Sequence, residues 1–328
     1  MVPIMKNLKP LFLALSLSTI TITTAQATHN QSTQPPQKQV AGYYHYQMGD
    51  VQITALLDGT NFISPSLFKN LSNEEIQNIL KKYYADQAKG IQTSVNAFLV
   101  KNGNTLTLVD SGTADCFGAH LGSVSTNLKA AGYQPEQVDT ILLTHLHPDH
   151  SCGVSKNGVA NFPNATIYVA EDEANYWLNP KSLKSIPKEK QSGYLATTDK
   201  IKTALAPYQA KQQFKTFKLG DQINGFEVIS TAGHTPGHFS YKLKTPQKDV
   251  IFIGDIVHSH TIQFDRPETA IEYDIDPEQA VQTRLKQFAD YAQNGQTIAA
   301  PHLPFPGIGH IYSQDGKSYQ WMPIHFTD

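Results

Sequence analysis

The stretch that most constrains this chain is residues 140–150, where a short apolar run leads directly into a cluster of histidines. Residues 141–143 predict a buried strand of a parallel sheet, because such strands are brief, apolar on both faces and end abruptly in polar residues. The motif HLHPDH (residues 145–150) then places four side chains able to bind metal within six residues. The carboxyl end of a core strand is where α/β enzymes carry their chemistry. The stretch therefore predicts an α/β fold with a metal site at one edge of a sheet.

The same pattern, an apolar strand followed by a histidine or an aspartate, recurs along the chain. Four further predicted strands lead to Asp110, His234, Asp255 and His302. Side chains that successive strands present at one edge of a sheet can converge on a single cleft. We therefore expect one site built from all five strand ends, in preference to a histidine-rich surface turn.

The candidate ligands divide into two sets of nitrogen and oxygen donors. The first metal ion is predicted to bind three imidazoles: His145, His147 and His234. The second is predicted to bind one carboxylate and two imidazoles: Asp149, His150 and His302. Asp255 is predicted to bridge the ions, and Asp110 to accept a hydrogen bond from a ligand imidazole unless it is a helix cap or turn residue. Donors without thiolate suit two zinc ions, although manganese, iron or cobalt accept the same ligands.

Charge and the N-terminus limit the class of protein. With 26 Lys and Arg against 28 Asp and Glu, the formal charge is −2. A protein that binds nucleic acid in bulk would be clearly basic, so we expect a small-molecule partner and no nucleic acid.

At the N-terminus, Lys6 and Lys9 precede an apolar run that ends in the small-x-small sequence AQA at residues 25–27. Residues 1–27 are therefore predicted to be a secretory signal peptide, not a first helix of the fold, and the mature protein to be periplasmic or secreted and free of the membrane.

The remaining chain is predicted to be a leader followed by one domain. Residues 28–41 are rich in Gln, Pro and Thr without an apolar period, which is typical of a disordered segment. No repeat, linker or composition break follows, so residues 42–328 are predicted to form a single domain. Within it, Asp-Gly at residues 58–59 predicts a turn, and Asn-Gly at residues 102–103 predicts a β-hairpin.

Helix signals are clear at some positions and weak after the motif. Residues 72–75 form a capping box, and Asp276 is an N-cap followed by proline at the first helical position. Residues 179–195 lack a period and have the size of a substrate-covering loop. Residues 198–206 are predicted to form a helix that Pro207 ends.

The chain has two cysteines, Cys116 and Cys152. In an oxidising compartment such a pair can form a disulfide, and each lies a few residues beyond a loop assigned to the site. The sequence leaves the bridge open, because a disulfide requires a Cα separation that spacing along the chain does not determine.

Several motifs together resemble a known family. HLHPDH, GHTPGH (residues 233–238), a Gly-Asp after an apolar strand and a late strand-end histidine resemble the metallo-β-lactamase superfamily. PHLPFPGIGH (301–310) and NLKAAGYQPEQVD (127–139) resemble its methyl parathion hydrolase branch, and the resemblance covers residues 42–326. It implies an αββα sandwich, a binuclear metal centre and ester hydrolysis; members include lactonases, arylesterases and organophosphate triester hydrolases. One departure is SCG at residues 151–153, where the superfamily often has x-Gly-Gly.

These observations predict an exported, metal-dependent hydrolase that opens lactones or aryl esters. A hydroxide bridging two metal ions would attack the carbonyl carbon, and the ions would stabilise the developing oxyanion. Asp255 and Asp149, which hold the ions, are the predicted catalytic residues. No side-chain nucleophile is needed, so Ser111 and Ser151 are predicted to be structural. The same hydroxide could attack phosphorus, which predicts a side activity towards organophosphate triesters.

The substrate pocket is expected to be apolar and aromatic, as small-molecule sites usually are. The candidate wall residues are aromatic side chains that could equally belong to the core: Phe117, Trp177, Tyr194, Tyr273 and Phe305. His258, three residues after Asp255, is the polar candidate. Near the metals it would hydrogen-bond a lactone oxygen or a leaving group; the alternative is a loop histidine with its own partners.

Other functions fit the sequence less well. An organophosphate hydrolase as the main activity is the first alternative, and a non-catalytic periplasmic zinc-binding protein is the second. β-Lactamases proper usually lack the bridging aspartate that Asp255 supplies. A glutathione thioester hydrolase would act on chiefly cytosolic substrates, and a nuclease of this fold would be basic with an extra domain. Apolar surface around Trp321 and Phe326 suggests a homodimer.

Overall fold

The computed structural model describes residues 40–85, 89–246 and 248–326. The predicted signal peptide lies outside the described residues, as do residues 28–39 of the predicted leader. One compact unit begins at Val40. Within the described ranges, no helix is both long and apolar enough to cross a membrane.

The described residues form strands and helices that alternate along the chain. The strands are β1 (Tyr43–Met48), β2 (Val51–Ile63), β3 (Ile91–Asn102), β4 (Thr105–Val109), β5 (Thr140–Leu142), β6 (Ser155–Lys156), β7 (Val159–Ala160), β8 (Thr166–Ala170), β9 (Phe214–Phe217), β10 (Gln222–Ile223), β11 (Phe226–Ser230), β12 (Phe239–Leu243), β13 (Val250–Phe252), β14 (Thr297–Ala299), β15 (Ile308–Tyr312) and β16 (Gln320–Pro323). The α-helices are α1 (Asn73–Lys82), α2 (Val124–Ala130), α3 (Pro148–Ser151), α4 (Glu171–Leu178), α5 (Gln191–Ala210), α6 (Ile262–Asp265) and α7 (Pro277–Asn294).

The strands form two seven-stranded sheets and one small hairpin. The first sheet has the order β1-β2-β3-β4-β5-β8-β9, antiparallel as far as β4 and parallel from β4 to β9. The second sheet runs in order from β10 to β16 and is antiparallel except where β13 pairs with β14. Because β11 and β13 are both antiparallel to β12, the strands β11, β13 and β14 run in one direction. Their carboxyl ends therefore meet at one edge of the sheet.

The two sheets share a core made from alternate residues of their strands. In β3, Phe98 and Val100 belong to this core, whereas Leu99 between them belongs to the cluster on the other face. The period of two follows from the pleat of an extended strand. Phe98 lies against Phe252 of β13 with ring centroids 5.7 Å apart. Residues 141–143 are likewise divided between the two faces, as their uninterrupted apolar pattern predicts.

Helices cover the outer face of each sheet. Leu128 of α2, Trp177 of α4 and Leu205 of α5 belong to the cluster on the first sheet. Phe264 of α6 and Phe288 of α7 belong to the cluster on the second. The layers are therefore helix, sheet, sheet and helix. This confirms the predicted αββα sandwich.

Local signals whose partners lie within a few residues are confirmed. The turn at residues 102–103 joins β3 to β4. Ser72 and Glu75 form the capping box at the start of α1. The Asp276 side chain accepts a hydrogen bond of 3.0 Å from Gln279 N at the start of α7. Such contacts need no distant part of the chain.

The turn predicted at residues 58–59 is wrong. β2 continues through it as one strand of 13 residues, with a β-bulge between Leu57 and Gly59. The buried carboxylate of Asp58 accepts hydrogen bonds from the loop at residues 113–124. The Asp-Gly pair therefore forms a bulge that anchors a neighbouring loop, and that contact is tertiary.

The region after α4 is more helical than predicted. Residues 179–195 form two short 3-10 turns and the first turn of α5, so the predicted irregular loop is wrong. The helix also continues past Pro207, which lies in its last turn and removes a single backbone hydrogen bond. Leu205 and Tyr208 are buried on either side of the proline. Their burial extends the helix beyond the predicted end.

A disulfide joins Cys116 to Cys152, with the Cα atoms 6.4 Å apart. It connects the loop before α2 to the 3-10 turn that follows α3. Beside it, Gly153 N–H donates to Gly112 O at 2.8 Å, and a Cβ atom at Gly153 would collide with the carbonyl oxygen of Ser111. The bridge that the sequence left open is present, and glycine is needed where the two loops touch.

The surface suggested for a dimer lies near the C-terminal end of the described chain. Trp321 of β16 is half-buried and lies 6.4 Å from Phe264, between ring centroids. Phe326 is 71% exposed and makes an edge contact with Tyr44. The homodimer stays a prediction.

We expect Gly153→Ala to lower the free energy of unfolding by about 1–3 kcal/mol, because the added methyl group has no room against the Ser111 backbone. The matched control is Gly193→Ala in α5, where a Cβ atom meets nothing within 4 Å and alanine favours the helix. Denaturant unfolding of both variants measures the difference. A Gly153→Ala protein as stable as the wild type would contradict the close approach of these loops.

Candidate metal centre

The candidate ligands meet at the edge where strands of both sheets end. His145 and His147 lie in the loop between β5 and α3, and α3 itself carries Asp149 and His150. The loops after β11, β13 and β14 contribute one candidate each: His234, Asp255 and His302. Residues 148–151 form a single turn of helix with Pro148 at its first position, where proline is well tolerated.

Asp255 lies at the centre, and its two carboxylate oxygens face different imidazoles. Its Oδ2 atom is 3.1 Å from His234 Nε2 and 3.6 Å from His145 Nε2. Its Oδ1 atom is 3.2 Å from both His150 Nε2 and His302 Nε2. A single carboxylate therefore faces both halves of the centre.

The remaining donor atoms complete the two halves. His147 Nδ1 lies 2.9 Å from His234 Nε2 in the first. In the second, Asp149 Oδ2 lies 3.5 Å from His302 Nε2 and 3.6 Å from His150 Nε2. Within each half the candidate ligand atoms lie no more than 4.8 Å from one another. The structure thus brings together all seven residues predicted from the sequence.

The donor atoms fit metal cations better than they fit one another. His145 Nε2, His150 Nε2 and Asp255 Oδ1 are buried and have no hydrogen-bond partner among the described residues. Buried polar atoms without partners are rare and costly, and these three belong to the same cluster. Nitrogen and carboxylate donors without thiolate suit zinc, manganese, iron or cobalt. The residues can hold two metal ions, and the identity of the metal stays a prediction.

Electrostatics prepare these side chains to bind a cation. Burial, together with neighbouring imidazoles, lowers the pKa of His147 to about 3 and that of His145 well below its usual value. Both rings are therefore neutral, which is the form that binds metal. Burial alone would raise the pKa of Asp255, but the imidazoles of His150 and His302 hold it well below its usual range. The central carboxylate is ionised.

A cavity of about 320 Å³ opens at the metal centre. Its lining includes candidate ligands: His147, Asp149, His234, Asp255 and His302. Apolar wall residues come from β2 and β3 (Ile63 and Val95), and α5 contributes Thr197 and Lys200. A second cavity, of about 580 Å³, shares His147, Thr197 and Tyr273 with the first. The metal centre is therefore open to a small molecule.

Four of the five aromatic candidates line these cavities. Phe117 and Tyr273 line the first, and Tyr273 also lines the second with Trp177 and Tyr194. The rings of Trp177 and Tyr194 stack, with centroids 5.3 Å apart and planes at 11°. Phe305 lines neither cavity but packs against the core between the sheets, so its assignment to the pocket is wrong. The chain turns back into the sandwich soon after His302 to form β15, which carries Phe305 away from the cavity.

His258 is buried beside Asp255 and lines the first cavity. Its Nε2 atom donates to Asp255 Oδ2 at 3.1 Å, and its ring stacks on His302 with centroids 5.3 Å apart. Its Nδ1 atom has no hydrogen-bond partner in the described part of the chain. By position His258 belongs to the metal centre, although its role towards a substrate stays a prediction.

Comparison with known proteins decides the family. The model of a family described as the metallo-beta-lactamase superfamily matches residues 90–291. The chain belongs to the metallo-β-lactamase superfamily. The narrower resemblance to the methyl parathion hydrolase branch stays a prediction.

Solved structures and curated relatives of this superfamily member cover different shares of the chain. The hydrolase AbOPH, in the beta lactamase superfamily, is 75% identical over 89% of this chain and 100% of its own, with a TM-score of 0.88. AidC, a dizinc quorum-quenching lactonase solved with a product, is 25% identical over 89% of this chain and 100% of its own, with a TM-score of 0.79. The N-acyl homoserine lactonase AttM of Agrobacterium fabrum is 28% identical over 131 residues, 38% of this chain and 43% of AttM. The uncharacterized protein YobT of Bacillus subtilis is 28% identical over 147 residues, 45% of this chain and 56% of YobT, so the chain spans about half the length of these two curated relatives.

Asp110 orients His150, a candidate ligand in the second half of the metal centre. Its Oδ2 atom accepts from His150 Nδ1 at 3.0 Å, which leaves Nε2 of that ring for a metal. Its Oδ1 atom accepts from Thr144 N at 2.9 Å. Asp110 has a φ of 56°, a left-handed conformation that aspartate tolerates better than most residues. The carboxylate thus joins the end of β4 to the loop that carries the histidine motif.

The partners of two other histidines were missed by the sequence analysis. His234 Nδ1 lies 2.9 Å from Asp274 Oδ1, and His302 Nδ1 donates to the Ser94 carbonyl oxygen at 2.9 Å. Burial would lower the pKa of His234, but Asp255 and Asp274 raise it to about 9. Every residue has a backbone carbonyl, so the identity of Ser94 could not indicate that its carbonyl accepts a hydrogen bond from His302. Asp274 follows no strand, so the strand-end pattern could not indicate it.

Glu173 is the second functional residue that the sequence analysis missed. It lies in α4, is fully buried, and its Oε1 atom accepts from Leu146 N at 2.9 Å and from Trp177 Nε1 at 2.8 Å. Its Oε2 atom accepts from Thr235 Oγ1 at 2.7 Å and Gly237 N at 3.1 Å. One carboxylate therefore holds the HLHPDH loop against the GHTPGH loop. Glu173 lies four residues before Trp177 and so on the same face of α4, and this spacing was the one indication in the sequence that it is buried.

We expect Glu173→Gln to destabilise the fold by about 1–3 kcal/mol, because the amide NH2 would face donors where an oxygen now accepts. The movement of both motif loops should also reduce the metal retained after purification. Thermal unfolding and metal analysis measure the two effects. The control is Asp172→Asn, an exposed neighbour on the same helix; if both variants behave alike, Glu173 does not hold the loops.

We expect Asp274→Asn to weaken metal binding about 10- to 100-fold, because loss of its charge leaves His234 less firmly oriented and less basic. Competition with a chelator, followed by metal analysis, measures the affinity. The control is Glu278→Gln, an exposed residue at the start of α7. Unchanged affinity in Asp274→Asn would show that the contact with His234 does not support the site.

Proposed function

We propose that this chain is a metal-dependent hydrolase that opens lactones or aryl esters. The observation that carries the proposal is the Asp255 carboxylate, which faces two sets of metal-binding donors in a cavity with apolar walls. A non-catalytic metal-binding protein would need the donors but not the cavity. The combination favours an enzyme.

Metal ions bound here would act as Lewis acids and would lower the pKa of a bound water, which would make hydroxide available at neutral pH. The protein itself fixes the donors. Three contacts to the second ring nitrogen orient the histidines: Asp110 to His150, Asp274 to His234 and the Ser94 carbonyl to His302. Preorganised ligands need no rearrangement during the reaction, which is the main requirement for electrostatic catalysis.

The cavity walls support a neutral, largely apolar substrate. Ile63, Val95 and Phe117 line the first cavity near the ligands. The second cavity, with the stacked rings of Trp177 and Tyr194, adds room for an aromatic ring or an acyl chain. Lactones and aryl esters are neutral and carry such groups. The similarity to AidC and AttM, both described as lactonases, supports the same substrate class.

We assign the polar contact with the substrate to His258. It lines the cavity beside Asp255, and its buried Nδ1 atom has no hydrogen-bond partner within the described residues. A neutral imidazole can donate from one nitrogen and accept at the other. Because Nε2 donates to Asp255, Nδ1 is the acceptor, which suits it to receive a hydrogen bond from the hydroxyl of a leaving group.

The test compares initial rates on three substrates at matched concentration: dihydrocoumarin, an acyl-homoserine lactone and methyl paraoxon. Each is measured with and without a chelator, on protein whose metal content has been determined. We expect two metal ions per chain and chelator-sensitive lactone hydrolysis well above the phosphotriester rate. His302→Ala should lower kcat/KM for the lactones about 100-fold or more, while the exposed His325→Ala should leave it unchanged.

Two results would change the assignment. A dominant rate on methyl paraoxon would make organophosphate hydrolysis the main activity. His258 would then no longer explain the substrate preference. Bound metal without turnover of any of the three substrates would overturn the proposal that the chain is an enzyme and would favour a non-catalytic metal-binding protein.

A further inference from the structure

Phe117 lines the metal cavity but belongs to an exposed loop. Residues 117–120 are exposed, and Phe117 itself is 40% exposed. Segments with little buried apolar surface are the first to open in a native protein. An aromatic wall on such a loop can bind a substrate firmly only if other contacts hold the loop in place.

The two ends of this loop are fixed by Asp58. Its Oδ2 atom accepts from Thr113 Oγ1 at 2.6 Å and from Gly122 N at 2.9 Å. Its Oδ1 atom accepts from Val124 N at 3.2 Å. These contacts leave residues 114–121, which include Phe117, to be held by other interactions.

The middle of the loop is held at Cys116 by two different contacts. Its sulfur is bonded to Cys152, which directly follows the helix that carries Asp149. Its carbonyl oxygen accepts from Lys200 Nζ at 3.2 Å, and the same ammonium lies 4.8 Å from the centroid of the Phe117 ring. Lysine over an aromatic face is an attractive contact. The disulfide therefore links the loop to the metal-binding helix, and Lys200 links it to α5.

We propose that the Cys116–Cys152 disulfide and Lys200 together form a specificity-determining tether, which holds Phe117 as the wall that receives the aromatic ring of an aryl lactone or aryl ester. The proposal rests on the hydrolase function above and deepens it by naming the part of the substrate that Phe117 contacts. Cys116, Cys152 and Lys200 act through Phe117 and are positioning residues. Loss of the tether should weaken binding of aromatic substrates without altering the metal centre.

The test uses two lactones that share a six-membered ring and differ in the fused benzene ring, dihydrocoumarin and δ-valerolactone. The variants are C116S/C152S and Lys200→Met, with Lys202→Met, an exposed residue of the same helix, as the matched control. We expect both tether variants to raise KM for dihydrocoumarin about three- to tenfold, because loss of one aromatic contact weakens binding by about that factor. KM for δ-valerolactone, kcat for both lactones and bound metal should not change.

A second measurement does not depend on activity. Amide hydrogen exchange of residues 114–121 should be faster in both tether variants than in the wild type and in Lys202→Met, because the loop opens more often. If C116S/C152S fails to fold, Lys200→Met alone carries both measurements, since its side chain is exposed.

The outcomes separate this proposal from the proposed function. A wild-type protein that hydrolyses neither lactone would overturn the hydrolase function, and hydrogen exchange would still decide whether the tether holds the loop. An active wild type whose variants keep the same KM for dihydrocoumarin would overturn the tether. Equal increases for both lactones, loss of metal or unchanged exchange would overturn it as well.

Discussion

The structure depends on the position of one ionised carboxylate, that of Asp255, between two sets of imidazoles. Its oxygens lie 3.1 Å from His234 and 3.2 Å from His150 and His302. A buried acid and several buried imidazoles with unpartnered atoms are costly unless cations occupy the space between them. The surrounding contacts serve to hold this cluster: Asp110 fixes one histidine, Asp274 another and the Ser94 carbonyl a third. The metal centre therefore constrains how the surrounding segments fold, in addition to providing the chemistry of the protein.

The sandwich makes such a cluster feasible because strands from both sheets end at one edge. The first sheet delivers the HLHPDH loop after β5, and the second delivers single residues after β11, β13 and β14. Glu173 joins the two contributions, since its buried carboxylate accepts hydrogen bonds from both motif loops. Its position in α4 shows that a helix of the outer layer also determines the geometry of the centre.

Features that shape the substrate cavity lie outside the motifs. The wall comes from the ends of β2 and β3, from α5 and from the loop that carries Phe117. That loop is held by Asp58, by a disulfide and by Lys200. Members of one superfamily can therefore share the metal-binding residues while the surrounding loops select the substrate.

The sequence by itself determined an α/β fold and the identity of the candidate ligands, because strand periodicity and motif spacing act over a few residues. The αββα arrangement followed from the resemblance of the motifs to the family. The sequence also located the hairpin at residues 102–103 and the cap at Asp276, whose partners are local. Only the tertiary structure showed that Asp274 and Glu173 support the site, since both meet their partners across long stretches of chain. It also decided that Asp58 lies in a bulge, that α5 passes Pro207 and that Phe305 packs against the core. In each case burial against a distant element outweighed the local preference.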